Sequence, residues 1–291
     1  MPQPQNVIGI IYDFDNTLSP RAMQEETIFP YLDLKPRAFW DKVGALVNTR
    51  SYENELAWMR LLLEHEAFRV LGNRGLRGMG DRLTYYPGVP EVFRQIERDV
   101  DDERYHHLDI SIEHYVITSG LREVLQGSAI RPFVKEVFGS EFDEEDGGYL
   151  SFPKRVVGHT QKTQYLFRIN KGYLDLAKDV NDQVPQEERR IPFENLVYIG
   201  DGPTDVPCFA VMSDNGGRTV AVYDPTKPSS FELGMQLRKA HRVDELAEAD
   251  YREGSHLRRI LRYMINEIAE QILQKQQRQI GERVIPAPRH G

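Results

Sequence analysis

Four short apolar runs stand out along the chain, and each breaks off abruptly into polar residues. Val7–Tyr12 is continuous and rich in β-branched side chains, and it ends in Asp13-Phe14-Asp15-Asn16-Thr17. His114–Ile117 runs into Thr118-Ser119-Gly120, Leu196–Ile199 into Gly200-Asp201-Gly202, and Thr219–Val222 into Tyr223-Asp224-Pro225. Continuous apolar runs of this length suit strands buried on both faces, as in a parallel sheet. Segments with helical periodicity lie between them, such as Leu121–Gln126 and Lys162–Leu176. Strands alternating with helices predict an α/β domain with a mostly parallel sheet. Ligands of open α/β sheets bind beyond the carboxyl ends of the strands. Here those ends carry Asp13 and Asp15, Thr118 and Ser119, and Asp201 and Asp205.

The gap between the first two runs is long. Residues 19–85 have no buried-strand pattern, but Ala38–Val47 and Tyr52–Leu71 place apolar residues at helical spacing, with Leu56, Met59, Leu63 and Phe68 on one expected face. This reads as an inserted helical unit, and Tyr86-Pro87-Gly88-Val89-Pro90 marks the return to the main domain. Arg98–Asp109 and Lys178–Arg190 are charge-rich and read as surface loops. Ser255–Ile280 carries an i, i+3/i+4 apolar stripe, which predicts a terminal helix packed on its own core. The tail after Gly281 has two prolines and no periodicity. The expected organisation is a core of 1–18 and 86–254, a helical unit of 19–85, and a C-terminal helix and tail of 255–291.

Charge narrows the function classes. The 291 residues include 37 Lys and Arg against 45 Asp and Glu, a formal charge of −8. That balance argues against a general nucleic-acid binder. The single cysteine, Cys208, excludes an intrachain disulfide and a cysteine-based zinc site, and a buried structural thiol is its expected state. No apolar run reaches the ~18 residues of a membrane span, and Met1–Asn6 lacks a signal-peptide pattern. The expectation is a soluble cytoplasmic protein, monomer or homodimer.

The chemistry-bearing residues form an ordered set. Asp13-x-Asp15-x-Thr17 comes first, Ser119-Gly120 follows the second strand, then a lysine, then Gly200-Asp201-Gly202-x-x-Asp205 after a third strand. This set resembles the four ordered motifs of the haloacid dehalogenase superfamily of phosphohydrolases, over about residues 1–20 and 110–225. The resemblance implies a Rossmann-like core with a helical cap inserted after the first strand. It implies Asp13 as a nucleophile forming an aspartyl-phosphate, Asp15 as the acid and then the base, and Thr17 as an orienting residue. Asp15 favours phosphoryl chemistry over dehalogenation. The resemblance also implies Mg2+, held by the side chains of Asp13 and Asp201 and the carbonyl of Asp15, with Asp205 either ligating the ion or holding the lysine. Ser119 is the better match for the phosphate-contacting hydroxyl, with Thr118 the alternative and Gly120 beside it.

Three lysines compete for the third motif. Lys162 lies at a helix start, where a cation is electrostatically unfavourable, and so it invites a functional reason more than Lys171 or Lys154. The inserted helical unit resembles the cap of the phosphoserine phosphatase and pyrimidine 5′-nucleotidase branch. The phosphoserine phosphatases carry a glutamate nine residues after the nucleophile, whereas Ala22 stands at that position here, with Glu25 and Glu26 out of register. Arg21, Gln24, Glu25 and cap residues near Trp58 and Arg60 are expected to face the substrate. The expected activity is hydrolysis of a small phosphorylated metabolite. A phosphotransferase or mutase, and a non-catalytic binder of a phospho-ligand, are the alternatives.

Overall fold

The structure is a computed structural model and describes residues 5–284. Its seven strands are β1 (Val7–Tyr12), β2 (Ser111–Leu121), β3 (Glu136–Glu145), β4 (Tyr149–Arg155), β5 (Leu196–Gly200), β6 (Arg218–Tyr223) and β7 (Glu245–Glu248). They form one sheet in the order β4-β3-β2-β1-β5-β6-β7. Every neighbouring pair is parallel except β3 and β4. β1 is central, with Val7 opposite Ser111 on one side and Gly9 opposite Leu196 on the other. A Cβ at Gly9 would lie 2.5 Å from the Leu196 side chain, so only glycine lets β5 sit this close.

The strict alternation of β1 feeds two cores. Ile8, Ile10 and Tyr12 join Val116, Val197, Ile199, Val220 and Val222 on one face. Val7 and Ile11 join Tyr115, Ile117, Leu196 and Tyr198 on the other. Both faces are covered by helices, as a mostly parallel sheet requires.

Between β1 and β2 lie α1 (Met23–Glu26), α2 (Ile28–Tyr31), α3 (Pro36–Arg50), α4 (Asn54–Leu63), α5 (Glu66–Arg69), α6 (Gly72–Arg77) and α7 (Glu91–Glu97). Then come α8 (Arg122–Gln126), α9 (Gln161–Lys171), α10 (Val206–Asp214), α11 (Pro228–Lys239) and α12 (His256–Val284). α6 and the turn after it meet the core backbone to backbone. A Cβ at Gly127 would lie 1.8 Å from the Arg77 carbonyl oxygen, and one at Gly80 2.4 Å from the Gly127 carbonyl carbon.

Several expectations change here. The stretch Tyr52–Leu71 is two helices, and α4 buries Ala57, Trp58, Met59 and Leu62 while Leu56 and Leu63 are half-buried. The chain breaks at Glu64–His65, which rotates Phe68 onto α5 and off the expected single face. α9 stops at Lys171 because Gly172 adopts φ +71°, a left-handed helix end. Arg98–Asp109 is anchored rather than loose, since Val100, Tyr105 and Leu108 are buried. Asp99 accepts from Arg258 of α12 at 2.5 and 2.8 Å, and both side chains are nearly inaccessible. α12 seats Leu257, Leu261, Ile265, Ile268 and Ala269 in the core, as its stripe predicts. It continues through Gly281 to Val284, so the first residues of the expected loose tail are helical, and 285–291 lie outside the described residues. No helix among the described residues is long and apolar enough to cross a membrane.

Candidate active site

The carboxyl ends of β1, β2 and β5 converge. Asp13 is the first residue beyond β1, and its backbone N–H donates to the Ile199 carbonyl of β5 at 2.9 Å. The chain then curls tightly, because the N–H groups of Thr17, Leu18 and Ser19 all donate to the Phe14 carbonyl. Asn16 supplies the left-handed step at φ +56°, which asparagine tolerates better than most residues. The curl turns Asp15 towards α1, where its Oδ1 accepts from the Met23 N–H at 2.9 Å.

Lys162 is the second residue of α9 and is 1% exposed. Its Nζ lies 2.9 Å from Asp13 Oδ1 and 2.8 Å from Asp205 Oδ1. The two competing lysines are engaged elsewhere. Lys171 donates to the Val180 and Asp182 carbonyls, and Lys154 pairs with Glu141. Oxygens of Asp13, Asp201 and Asp205 lie within 4.8 Å of one another. Asp205 makes the contact to the lysine, one of the two roles expected for it, and its oxygens also belong to this carboxylate group.

At the end of β2 the two hydroxyls part company. Thr118 Oγ1 accepts from the Gly120 N–H at 3.0 Å and is spent on the backbone. Ser119 Oγ is buried without a partner, and so is Thr17 Oγ1. A Cβ at Gly120 would fall 2.4 Å from the tip of Met23, so the glycine keeps α1 against this strand end. Unpartnered buried hydroxyls are costly unless a ligand or water completes them.

Charge is unevenly distributed. Asp13, Asp15, Asp201 and Asp205 surround the single buried ammonium of Lys162. Burial, reinforced by the neighbouring Asp13 charge, pushes Asp15 up to about 8. Burial raises Asp13 to about 6, against the pull of Lys162. Burial and the Asp205 charge raise Asp201. Burial opposes the charge on Lys162, yet Asp13 and Asp205 outweigh it and hold the ammonium protonated. Such a set, with hard oxygens in excess of cations, fits a divalent ion of the Mg2+ kind. Burial pushes the Cys208 thiol up to about 12, so it is an inert core thiol.

Two expected substrate-facing residues point elsewhere. Glu25 accepts from the Trp40 indole at 2.7 Å, and Arg60 pairs with Tyr52 and Glu64 at the surface. Gln24 is buried with its Oε1 unpartnered, and Trp58 is buried. Ala22 precedes α1 and offers no polar group. Two residues at the site have no signal in the motifs. Tyr198 donates to Asp205 Oδ1 at 2.7 Å. Lys227, after β6, donates to the Pro20 carbonyl at 2.8 Å and approaches Asp224 at 3.2 Å. Period-2 patterning marks Tyr198 as core but not as a donor.

The family model for haloacid dehalogenase-like hydrolases matches residues 10–210, a span that includes every one of these motifs. The chain belongs to this family. A protein of Borreliella burgdorferi described as uncharacterized is 30% identical over 283 residues, covering 88% of this chain and 96% of its own. Among solved structures, a phosphoserine phosphatase in apo form aligns with TM-score 0.54 at 17% identity, over 88% of this chain and 98% of that one. A hydrolase of the same family from Salmonella enterica serovar Typhi aligns with TM-score 0.53 at 19% identity, over 79% of this chain and 66% of that one. At these identities the likeness is one of fold, and it matches the parallel sheet described above.

Proposed function

We propose that the protein is a phosphatase that hydrolyses a small phosphate monoester through an aspartyl-phosphate on Asp13. The observation that carries this reading is Lys162, buried and set between Asp13 and Asp205 at 2.9 and 2.8 Å. A surface lysine has no reason to be there, whereas a phosphoryl group needs fixed positive charge beside its nucleophile.

An Asp13 oxygen attacks phosphorus while the bond to the leaving oxygen breaks. Asp15, held towards α1 by the Met23 N–H, gives its proton to that oxygen. In the second half, Asp15 takes a proton from water as the water oxygen attacks the aspartyl-phosphate, and Asp13 is regenerated. Lys162 orients Asp13 and offsets charge on the phosphoryl oxygens, and Ser119 Oγ and Thr17 Oγ1 are free to donate. Mg2+ held by Asp13, Asp201 and the Asp15 carbonyl would supply further positive charge on the phosphate side. The unit 19–85 acts as a cap that excludes water.

The test is phosphate release from an aryl phosphate and a panel of metabolite phosphoesters, with and without Mg2+, for the wild type and Asp13→Asn. The expected result is Mg2+-dependent release that falls to background in the variant with the fold retained. Substantial release by Asp13→Asn would reject the nucleophile, and no release from any ester by the wild type would reject the function.

A further inference from the structure

Tyr198 sits mid-strand in β5 with no exposed surface, and its ring packs edge-on against Phe209 at 5.6 Å between centroids. A hydroxyl placed there needs a partner, because burying one unpaired is costly. Its partner is Asp205 Oδ1, at 2.7 Å. The surroundings of Asp205 give this contact its meaning. Oδ1 takes Lys162 Nζ and Tyr198 Oη, and Oδ2 takes the Asp201 and Gly202 N–H groups at 3.2 and 3.4 Å. A carboxylate offers about four acceptor directions, so this one is fully engaged. Three of its four donors also occur where no special arrangement is needed, being two backbone groups of the local turn and a lysine the site requires. Tyr198 is the fourth, and it reaches in from the hydrophobic side of the sheet.

We propose that Tyr198 is a positioning residue: its hydroxyl locks Asp205 in the orientation that holds Lys162 against Asp13. The lock also explains how two aspartates four positions apart divide their work. The Asp205 oxygens lie within 4.8 Å of those of Asp13 and Asp201, close enough to be drawn onto a shared cation. With Oδ1 held by Tyr198, Asp205 stays with the lysine, and Asp13 and Asp201 are left to the cation. A phenylalanine at 198 packs like the tyrosine but leaves Oδ1 one donor short. Asp205 is then free to turn towards the cation side and take Lys162 with it.

Two measurements test this, and only one depends on the phosphatase reading. The first is a pair of crystal structures, wild type and Tyr198→Phe, each soaked with Mg2+. The expected result keeps Asp205 on its four donors in the wild type, with no oxygen at the roughly 2.0–2.1 Å of an Mg2+ ligand, and turns Asp205 towards the ion in Tyr198→Phe. An Asp205 oxygen bound directly to the ion in the wild type, or an Asp205 that stays in place in Tyr198→Phe, would overturn the proposal whatever the activity. The second is steady-state kinetics of Tyr198→Phe, Asp205→Asn and the double variant on the best ester found. For Tyr198→Phe the expectation is a kcat lower by about tenfold with KM within about twofold, because a hydrogen bond to a charged group that orients the nucleophile is lost while the substrate contacts remain. In the Asp205→Asn background the same change is expected to alter kcat by less than about twofold, since both act through one contact. An unchanged kcat in Tyr198→Phe, or losses that simply multiply in the double variant, would overturn it. Should the wild type release no phosphate, the phosphatase reading falls and the Mg2+ structures still decide the role of Tyr198.

Discussion

His114 should make this fold acid-sensitive by a calculable amount. It lies in β2 opposite Ile10 of β1, 1% exposed, with Tyr12 Oη 3.2 Å from its Nδ1 and the Phe93 ring 5.0 Å away. Its Nε2 has no partner. Burial lowers its pKa from 6.5 to about 4. Between those values the unfolded chain binds a proton that the folded chain refuses. The stabilising contribution is therefore complete above 6.5 and is lost as pH falls towards 4. Integrated over the window, the loss approaches about 3 kcal/mol, and at pH about 5 it amounts to about 2 kcal/mol relative to pH about 7.5. Asp13 and Asp15, raised in the folded state, contribute in the opposite sense, with stability present at low pH and lost as pH rises. They are the same in wild type and His114→Phe, so they cancel in the difference. The variant also deprives Tyr12 of its partner, an offset of about 1 kcal/mol at every pH that does not alter the slope. Urea unfolding of both proteins at these two pH values measures the quantity directly. The wild type should lose about 2 kcal/mol more than His114→Phe on acidification. Parallel losses, within about 0.5 kcal/mol, would mean that His114 is not held neutral in the core.

Three further outcomes follow from particular contacts. Mg2+ at about 100 times its Kd should stabilise the wild type by about 2.7 kcal/mol, or roughly 4–5 °C in Tm, and Asp201→Asn should lose most of that shift in a thermal melt. Asp99→Ala leaves the buried Arg258 guanidinium without its bidentate partner and should cost about 3–5 kcal/mol by urea unfolding, a drop that charge at an exposed site would not produce. Ser119→Ala removes a hydroxyl with no partner in the protein. Stability should hold or rise slightly while kcat/KM for the phosphoester falls by roughly tenfold or more, and unchanged kcat/KM would assign the phosphate contact elsewhere.

The strands that bear chemistry were legible because they are buried on both faces. β1, β2, β5 and β6 read as unbroken apolar runs, and each was placed within a few residues. β3, β4 and β7 escaped for a common reason. β3 ends in Asp143-Glu144-Glu145, β4 contains Pro153 followed by Lys154 and Arg155, and β7 is Glu-Leu-Ala-Glu. β4 and β7 are the sheet edges, where one side faces solvent and a proline is tolerated. Lys162 was distinguishable by its awkward place at a helix start, and the contacts to Asp13 and Asp205 supply the reason. Tyr198 and Lys227 were not distinguishable, since what matters is which partner each meets across the sheet. The misplaced side chains of the helical unit, Glu25 and Arg60, failed likewise because neighbours within that unit, Trp40 and Tyr52, claimed them first.

The pairing of β1 also carries a lesson about assembly in time. The strand that delivers Asp13 is synthesised before either of its neighbours, so Val7 waits for Ser111 and Gly9 for Leu196. Throughout that interval its two edges and its β-branched side chains stay unsheltered, in the kind of non-local parallel pairing that forms slowly. The nucleophile therefore comes into being only when the third motif strand closes the sheet. A chain stopped short of β5 has no half-active form, only an exposed central strand.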